Sequence, residues 1–323
     1  MQRLEAVARR VGRALVGEDT RAARVLRRHY HTLNRRIARK QIGPNYICFW
    51  AGRRRDRRIG IYLKGGCDVL SLFACQPLIQ RSLDGTCCIL REGEVSSARS
   101  DFILQSLRPL PAEWTRPVAE QLELPPDYFR SQLFSRNMHV AGEAGTEEFP
   151  KRIVVLSIAP DVVRSLYRHR QHGFLVDPGG WWLNQSLTRV LADRSRATWF
   201  RETFESIGKL DVAAFYENFT TIIELVKAVT EAHILVLNVL TVEPGSLVYN
   251  YQFVRNASTI RHHEFNLALV ELSRKLDFSI LDMDRLLKGI GVDGQVDFGH
   301  FPPDRYQPIA GEAVRIMKDL GVV

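Results

Sequence analysis

A cysteine stands directly after a short apolar run and two glycines, where its thiol could act as a nucleophile. The apolar run covers residues 59–63, and Gly65-Gly66-Cys67-Asp68 follows it. Apolar residues at helical spacing come next, so the pattern predicts a strand, a turn through Gly-Gly and a helix. The N-terminus of a helix favours anions and thiolates. The alternative is that Cys67 is a small buried apolar side chain, as free cysteines often are.

A second pair of reactive residues lies near the other end of the chain. Asp297-x-x-His300 precedes a predicted last helix over residues 309–320. If both segments lie at the carboxyl edge of one sheet, the thiol, the imidazole and the carboxylate could form a nucleophile, a base and an orienting group. The imidazole would lower the pKa of the Cys67 thiol, and the carboxylate would fix the tautomer of the ring.

The elements that must position these residues alternate along the chain. Strand patterns cover residues 59–63, 86–90, 152–157, 233–240 and 278–282. Helical patterns cover residues 159–167, 199–231 and 257–276, with His262 and His263 expected to contact solvent. The alternation predicts an α/β fold with a three-layer, doubly wound, mainly parallel five-stranded sheet. Helical or loop insertions are expected at about 107–150 and 173–210.

Basic residues are concentrated at the start of the chain. Residues 1–58 contain seventeen Lys and Arg against four Asp and Glu, a net charge of +13, which leaves −4 for the other 265 residues. We predict two arginine-rich helices over residues 1–40. We therefore divide the chain into a basic helical extension (1–58) and an α/β domain (59–323).

The basic extension has two interpretations. It could be a solvated helix pair that packs on the domain, or it could attract an anionic membrane surface or an acidic protein partner. No base-reading module accompanies the charge, which argues against nucleic acid as the partner.

The composition favours a core-forming protein of a reducing compartment. Of the 323 residues, 45% are hydrophobic, yet no apolar run is long enough to span a bilayer. The basic N-terminus is not followed by the apolar segment of a secretory signal. The five cysteines all precede residue 90, are odd in number and lack metal-site spacing. We therefore expect reduced thiols, no metal site and a cytoplasmic location.

The C-terminal motif resembles a known family. Asp297-Phe-Gly-His300-Phe-Pro-Pro-Asp-Arg-Tyr306-Gln-Pro-Ile-Ala310 is similar to the closing Asp-x-x-His block of the SGNH (GDSL-type) hydrolases. Gly65-Gly66-Cys67 falls where that family has Gly-Asp-Ser, and it resembles a branch with Gly-Ser-Cys or Gly-Asn-Cys. This branch includes coenzyme-A-binding proteins linked to bacterial polysaccharide biosynthesis. Ala98-Arg99-Ser100 and Asp161-Val-Val-Arg164 resemble further motifs of the branch.

The resemblance covers residues 59 to 320 loosely and implies an SGNH/flavodoxin-like fold. It implies an acyl hydrolase or acyltransferase that acts on a polar, for example carbohydrate, small-molecule substrate. Cys67 would be the nucleophile, His300 the general base and Asp297 the residue that orients His300. No cofactor would be required, and coenzyme A or acyl-coenzyme A would be a possible substrate or ligand.

The oxyanion hole is where the resemblance is incomplete. The family pattern implies backbone N–H donors at Gly66 and Asp68 and at a glycine after the second strand, for which Gly93 is the candidate. The family also has an asparagine after the third strand, but this chain has Ser157-Ile-Ala-Pro-Asp161 there. Loss of one oxyanion donor typically lowers turnover by roughly 10²–10³-fold.

Two alternatives therefore stay open. Arg99 and Arg164 could hold a carboxylate or phosphate of the substrate, or they could form structural salt bridges. The missing asparagine also allows a non-catalytic protein that binds an anionic ligand, such as coenzyme A or a nucleotide, at the same edge of the sheet.

Overall fold

The computed structural model describes residues 38–42, 46–51, 58–66, 68–69, 72, 85–91, 98–124, 128–131, 133–134, 151–177, 193–241, 258–291 and 305–323. The strands in these ranges are β1 (Ala38–Ile42), β2 (Tyr46–Ala51), β3 (Arg58–Lys64), β4 (Gly85–Arg91), β5 (Lys151–Ser157), β6 (Ser165–His169), β7 (Leu175–Val176), β8 (Phe204–Lys209), β9 (His233–Leu237) and β10 (Ser279–Leu281). The helices are α1 (Ser100–Gln105), α2 (Ala112–Leu122), α3 (Ala159–Val163), α4 (Arg194–Thr203), α5 (Val212–Val229), α6 (Ser258–Leu276), α7 (Met283–Ile290) and α8 (Tyr306–Asp319). None of the helices in the described part of the chain has the length and apolarity needed to cross a bilayer.

Within the described residues, the main sheet has seven strands in the order β1-β2-β4-β3-β5-β9-β10. Strands β4, β3, β5, β9 and β10 are parallel to one another, and they coincide with the five predicted strands. Numbered among themselves, these five strands have the order 2-1-3-4-5, which is the order of flavodoxin-like folds. In such sheets ligands bind beyond the carboxyl ends of the strands, at the switch point between the first and third strands. Here that point lies between β3 and β5.

Two apolar cores cover the two faces of this sheet, which confirms the three-layer fold. Side chains alternate between faces along β3, so Ile61 and Leu63 enter one core and Tyr62 the other. The first core also contains residues of α7 and α8, and the second contains residues of α5 and α6. Strands that are buried on both faces form continuous apolar runs, which explains why β3, β5 and β9 were predictable from sequence.

The N-terminal part of the main sheet differs from the prediction. Strands β1 and β2 form an antiparallel pair with Ala38 opposite Trp50, and β2 pairs with the edge of β4. The helix predicted over residues 38–40 is therefore wrong, and the main sheet continues into the segment assigned to the basic extension. Residues 1–37, which carry the rest of the two predicted helices, lie outside the described residues.

A second, three-stranded sheet in the order β7-β6-β8 was not predicted. The sequence predicted helix at residues 165–167 and 204–209, but these residues form parts of strands β6 and β8. Their antiparallel pairing places Arg168 beside Glu205 at 2.9 Å, and Phe204 is buried against Phe174 and Phe200 of one aromatic cluster. Contacts between distant segments decide the structure of these short stretches, because β propensity depends strongly on such packing.

Candidate active site

The predicted corner after the first parallel strand is present on both sides of Cys67. Strand β3 ends at Lys64, Gly65 and Gly66 form a bend, and residues 68, 69 and 72 are helical. Val69 and Leu72 are fully buried in the core that contains α8. Cys67 itself lies outside the described residues.

Gly65 is packed so closely that a side chain has no room. A Cβ atom on Gly65 would lie 2.6 Å from Cγ2 of Val69 and 2.9 Å from Cβ of Ser157. Both contacts are far shorter than ordinary van der Waals distances, and both partners are buried. The glycine therefore allows β3, the helix that follows it and the end of β5 to approach one another.

We predict that Gly65→Ala lowers the free energy of unfolding by about 1–3 kcal/mol, as overpacking of a buried site does. Chemical denaturation measures this change. Gly289→Ala is the matched control, because a Cβ there meets nothing within 4 Å and Gly289 lies inside α7. That control should leave stability unchanged or raise it by up to about 1 kcal/mol. Equal stability of Gly65→Ala and the parent protein would contradict the packing described above.

A hydrogen bond joins the corner after β3 to the end of β5. Ser157 Oγ donates to Oδ2 of Asp68 at 2.5 Å, and the same hydroxyl accepts the Ala159 N–H at 3.0 Å. Asp68 and Ser157 are only 7% and 2% exposed. The bond spans β3 and β5, the two strands that flank the switch point of the sheet.

Burial raises the pKa of the Asp68 carboxyl above its usual value. The hydrogen bond from Ser157 and the backbone N–H groups of Gly66, Asp68 and Val69 act in the opposite direction, because they favour the carboxylate. The N–H groups of Gly66 and Asp68 are those predicted to serve an oxyanion.

The corner after β5 does not replace the missing asparagine donor. The Ser157 hydroxyl is directed to Asp68, and the Ala159 N–H is directed to Ser157. The Ile158 N–H donates to the carbonyl of Leu237 at 3.2 Å. These three donors stabilise the junction between β5 and its neighbours and are therefore occupied.

Polar side chains also follow β9 and β10 at the same edge, and sequence reasoning did not single them out. Asn238 Nδ2 donates to Oδ1 of Asp282 at 2.8 Å. Thr241 Oγ1 donates to Asp284 Oδ1 at 2.8 Å, and Lys288 Nζ contacts both Thr241 Oγ1 and Asp284 Oδ2, at 2.6 and 2.7 Å. A polar residue directly after a buried strand is the signal that could have identified Asn238 and Asp282.

Helix α8, which follows the Asp-x-x-His segment in the sequence, crosses one face of the sheet. Lys151 is the first residue of β5, and its Nζ donates to the carbonyl of Gly321, just after α8, at 2.6 Å. The C-terminal end of α8 therefore lies at the amino edge of the sheet. Its fourteen residues span about 21 Å, so the helix begins near the carboxyl edge.

The helix after the Asp-x-x-His segment and the residues after Cys67 therefore pack on the same face of the sheet. Ile309 and Ala310 of α8 belong to the same core as Val69 and Leu72, which follow Cys67. Asp297 and His300 precede α8, and they lie outside the described residues, as does Gly93.

Arg99 has a structural role in this arrangement. Its guanidinium holds the Asp101 carboxylate through two hydrogen bonds, at 2.9 and 2.6 Å, and donates to the carbonyls of Arg164 and Gly208. Arg99 is 1% exposed, so it cannot contact a substrate in solution. The structure thus favours the salt-bridge alternative for Arg99. Arg164 contributes its carbonyl group to this contact.

The two motifs that contain these arginines also meet through Ser100 and Asp161. Asp161 Oδ1 accepts the Ser100 N–H at 2.9 Å and the Ser100 hydroxyl at 2.5 Å, and Asn218 donates to that hydroxyl. Asp161 is fully buried, and this burial raises the pKa of its carboxyl to about 7. These contacts join the start of α1 to α3.

His262 is not solvated, which corrects the sequence prediction. It is 2% exposed, and its Nδ1 is 2.7 Å from the carbonyl oxygen of Leu240. A carbonyl can only accept, so this contact places the proton on Nδ1. His262 therefore attaches α6 to the loop after β9. Among the residues that the structure describes, no group of three or more potential ligands is arranged to hold a metal ion.

Comparison with models of protein families gives no match. Comparison with curated protein sequences gives none either.

Several solved structures are similar to this chain. A lipase/acylhydrolase from Enterococcus faecalis shares 14% identity over 81% of this chain and 96% of its own, with a TM-score of 0.39. A member of the lipolytic protein G-D-S-L family from Veillonella parvula shares 10% identity over 81% and 98%, with a TM-score of 0.40. An acetyl-xylooligosaccharide esterase mutant from Geobacillus Stearmophilus shares 8% identity over 81% and 94%, with a TM-score of 0.38. TM-scores below 0.5 do not establish a common fold, so the fold of this protein is defined by its own strand order.

Proposed function

We propose that this protein is an acyl hydrolase or acyltransferase whose nucleophile is Cys67. The supporting observation is the place of Gly65–Asp68 in the fold. These residues form the corner between the first parallel strand and its helix, at the switch point of a 2-1-3-4-5 sheet, where α/β proteins bind ligands. A thiol at the N-terminus of a helix is also stabilised as the reactive thiolate.

In this proposal the reaction passes through an acyl-thioester. His300 removes the thiol proton as Cys67 Sγ forms a bond to the acyl carbonyl carbon. The bond from the carbonyl carbon to the leaving group then breaks, and His300 returns the proton to the leaving oxygen or sulfur. Water or an acceptor hydroxyl next attacks the thioester carbon and gives its proton to His300. The bond from this carbon to Cys67 Sγ then breaks, the acyl product leaves, and His300 returns the proton to Sγ. Asp297 holds the His300 ring in the required tautomer throughout.

The position of α8 supports the participation of His300 and Asp297. Helix α8 begins near the carboxyl edge of the sheet and packs in the core that holds Val69 and Leu72. In the proposal, the segment before α8 therefore reaches this edge beside Cys67. Only a short connection separates His300 from Tyr306, the first residue of α8. We take the substrate to be a polar acyl ester, as the resemblance of the Gly-x-Cys motif suggests.

Intact-protein mass spectrometry after exposure to a short acyl ester or to acetyl-coenzyme A tests the proposal. We expect the parent protein to gain the mass of one acyl group and Cys67→Ala to gain none. Cys75→Ala is the matched control and should react like the parent protein. Absence of an adduct on the parent protein, or an equal adduct on Cys67→Ala, would contradict the proposal.

A second candidate function is binding of an anionic ligand, such as coenzyme A or a nucleotide, without chemistry. The observation in its favour is that Ser157 donates to Asp68, so the corner after β5 lacks a free side-chain donor for an oxyanion. A thermal-shift measurement with coenzyme A distinguishes the two functions. Stabilisation that persists in Cys67→Ala and in His300→Ala, together with no turnover by the parent protein, would favour binding alone.

A further inference from the structure

Asp68 and Ser157 form a pair whose place in the fold points to a role beyond packing. We propose that the hydrogen bond between Asp68 and Ser157 positions Cys67, by holding the corner after β3 against the end of β5. This inference rests on the proposed role of Cys67 as the nucleophile. Asp68 and Ser157 are positioning residues in this scheme, because they act through Cys67 and not on the substrate.

The first support is that the chain on both sides of Cys67 is fixed. Gly66 precedes Cys67 and Asp68 follows it, and both are buried. The carboxyl of Asp68 turns back towards Gly66, since a Cβ on Gly66 would lie 2.9 Å from Asp68 Oδ1. The Asp68 side chain therefore closes the corner that contains Cys67.

The second support is the way in which Ser157 is itself held. Its hydroxyl accepts the Ala159 N–H, which fixes the direction in which the hydroxyl proton can point. That proton is then directed to Oδ2 of Asp68 at 2.5 Å. Ser157 lies one residue beyond Leu156, which pairs with Lys64 across β3 and β5, so the register of the two strands sets the distance between the partners.

The third support is that the surrounding packing leaves little freedom for another arrangement. Ser157 Cβ and Val69 Cγ2 both lie where a Cβ on Gly65 would stand. A displacement of Asp68 would need Gly65, Val69 or Ser157 to move, and all three are buried in a close-packed core. The hydrogen bond and the packing therefore restrict Gly65, Gly66 and Asp68, the residues that flank Cys67 in the sequence.

Alkylation of Cys67 by iodoacetamide at a series of pH values tests this inference without an acyl substrate. Peptide mass spectrometry gives the rate at Cys67 separately from the other four cysteines. In Ser157→Ala the thiol should lose its fixed position at the start of the helix, where the thiolate is stabilised. We expect the midpoint of the pH profile to move upward and the rate near neutral pH to fall about tenfold.

Asp68→Asn should behave differently. An asparagine can keep a hydrogen bond to Ser157 in either orientation of its amide, because the hydroxyl both donates and accepts. It also removes a potential negative charge next to the thiol. We therefore expect the midpoint in Asp68→Asn to stay at the parent value or to fall. Ser206→Ala, which alters a serine of the small sheet that also accepts a backbone N–H, is the matched control and should leave the profile unchanged.

The outcomes separate this inference from the proposed function. An unchanged midpoint in Ser157→Ala, or an upward shift of equal size in Ser157→Ala and Asp68→Asn, would overturn the positioning role. If Ser157→Ala does not fold, Asp68→Ala removes the acceptor of the same hydrogen bond. An unchanged midpoint of the alkylation profile in Asp68→Ala would then overturn the positioning role. Failure of the proposed function would appear separately, as an absent acyl adduct on a parent protein whose Cys67 alkylation still responds to Ser157→Ala.

Discussion

Replacement of His300 by alanine is expected to lower the turnover of an acyl ester by about a thousandfold or more, as loss of the base does in comparable nucleophilic enzymes. The reason is that His300 would both remove the proton from the thiol and return it to the leaving group. The value of kcat/KM for the ester on which the parent protein is most active measures the effect. Folding should be unaffected, because α8 is anchored by its own core residues.

His233→Ala is the matched control for this prediction. His233 is exposed and is the first residue of β9, at the amino edge of the sheet and thus opposite the candidate site. Its replacement should leave kcat/KM within about twofold, since it can contact neither the substrate nor the corner after β3. A decrease of less than about tenfold in His300→Ala would show that another group serves as the base.

The second large effect concerns the pH dependence of stability through Asp161. Burial raises the pKa of this carboxyl from 3.8 to about 7, so the folded protein binds the proton more tightly than the unfolded chain. Asp161 therefore stabilises the folded protein fully below the unfolded pKa of 3.8, and this contribution is lost as the pH rises through the folded pKa of about 7. The difference between the two pKa values corresponds to a loss of roughly 4 kcal/mol at most in the free energy of unfolding.

Asp161→Asn should remove this dependence, because asparagine stays neutral and can still accept from Ser100. Its free energy of unfolding relative to the parent protein should rise by roughly 2–4 kcal/mol between about pH 4 and pH 8. Denaturant titrations across this range give the difference at each pH.

Asp193→Asn is a control with the opposite sign. Hydrogen bonds from Ser195 lower the pKa of the exposed Asp193 carboxyl, so its contribution is present at higher pH and is lost as the pH falls. The relative stability of Asp193→Asn should therefore decrease slightly as the pH rises from acid. Parallel pH profiles of the parent protein and Asp161→Asn would contradict the assignment of a buried, protonated Asp161.

Much of the fold could be predicted because the central parallel strands β3, β5 and β9 are buried on both faces. Their apolar runs are visible without knowledge of any partner, and the helices between them imply parallel pairing. Strands β6 and β8 are different, because each is short and only partly buried. Their structure depends on a pairing between Tyr167 and Ser206 that nothing local reveals.

Only the local part of the candidate site was predictable from the sequence. Gly65-Gly66 indicated the turn, and the structure contains it. The hydrogen bond between Asp68 and Ser157 was not predictable, because it depends on the register of two strands that are far apart in sequence. Arg99 illustrates the converse case. The charge of Arg99 suggested that it binds an anionic ligand. Only the fold shows that its guanidinium already donates to Asp101 and to two backbone carbonyls.

The central place of β3 has a consequence for synthesis of the chain on the ribosome. One neighbour of this strand, β4, is complete at Arg91, but the other, β5, begins only at Lys151. Until residue 157 has left the exit tunnel, one edge of β3, with its backbone N–H and C=O groups, has no native partner. Nascent chains that stall within this interval should expose it, and unpaired strand edges are sites of aggregation. We therefore expect chaperones to assist folding during the interval of translation between β4 and β5.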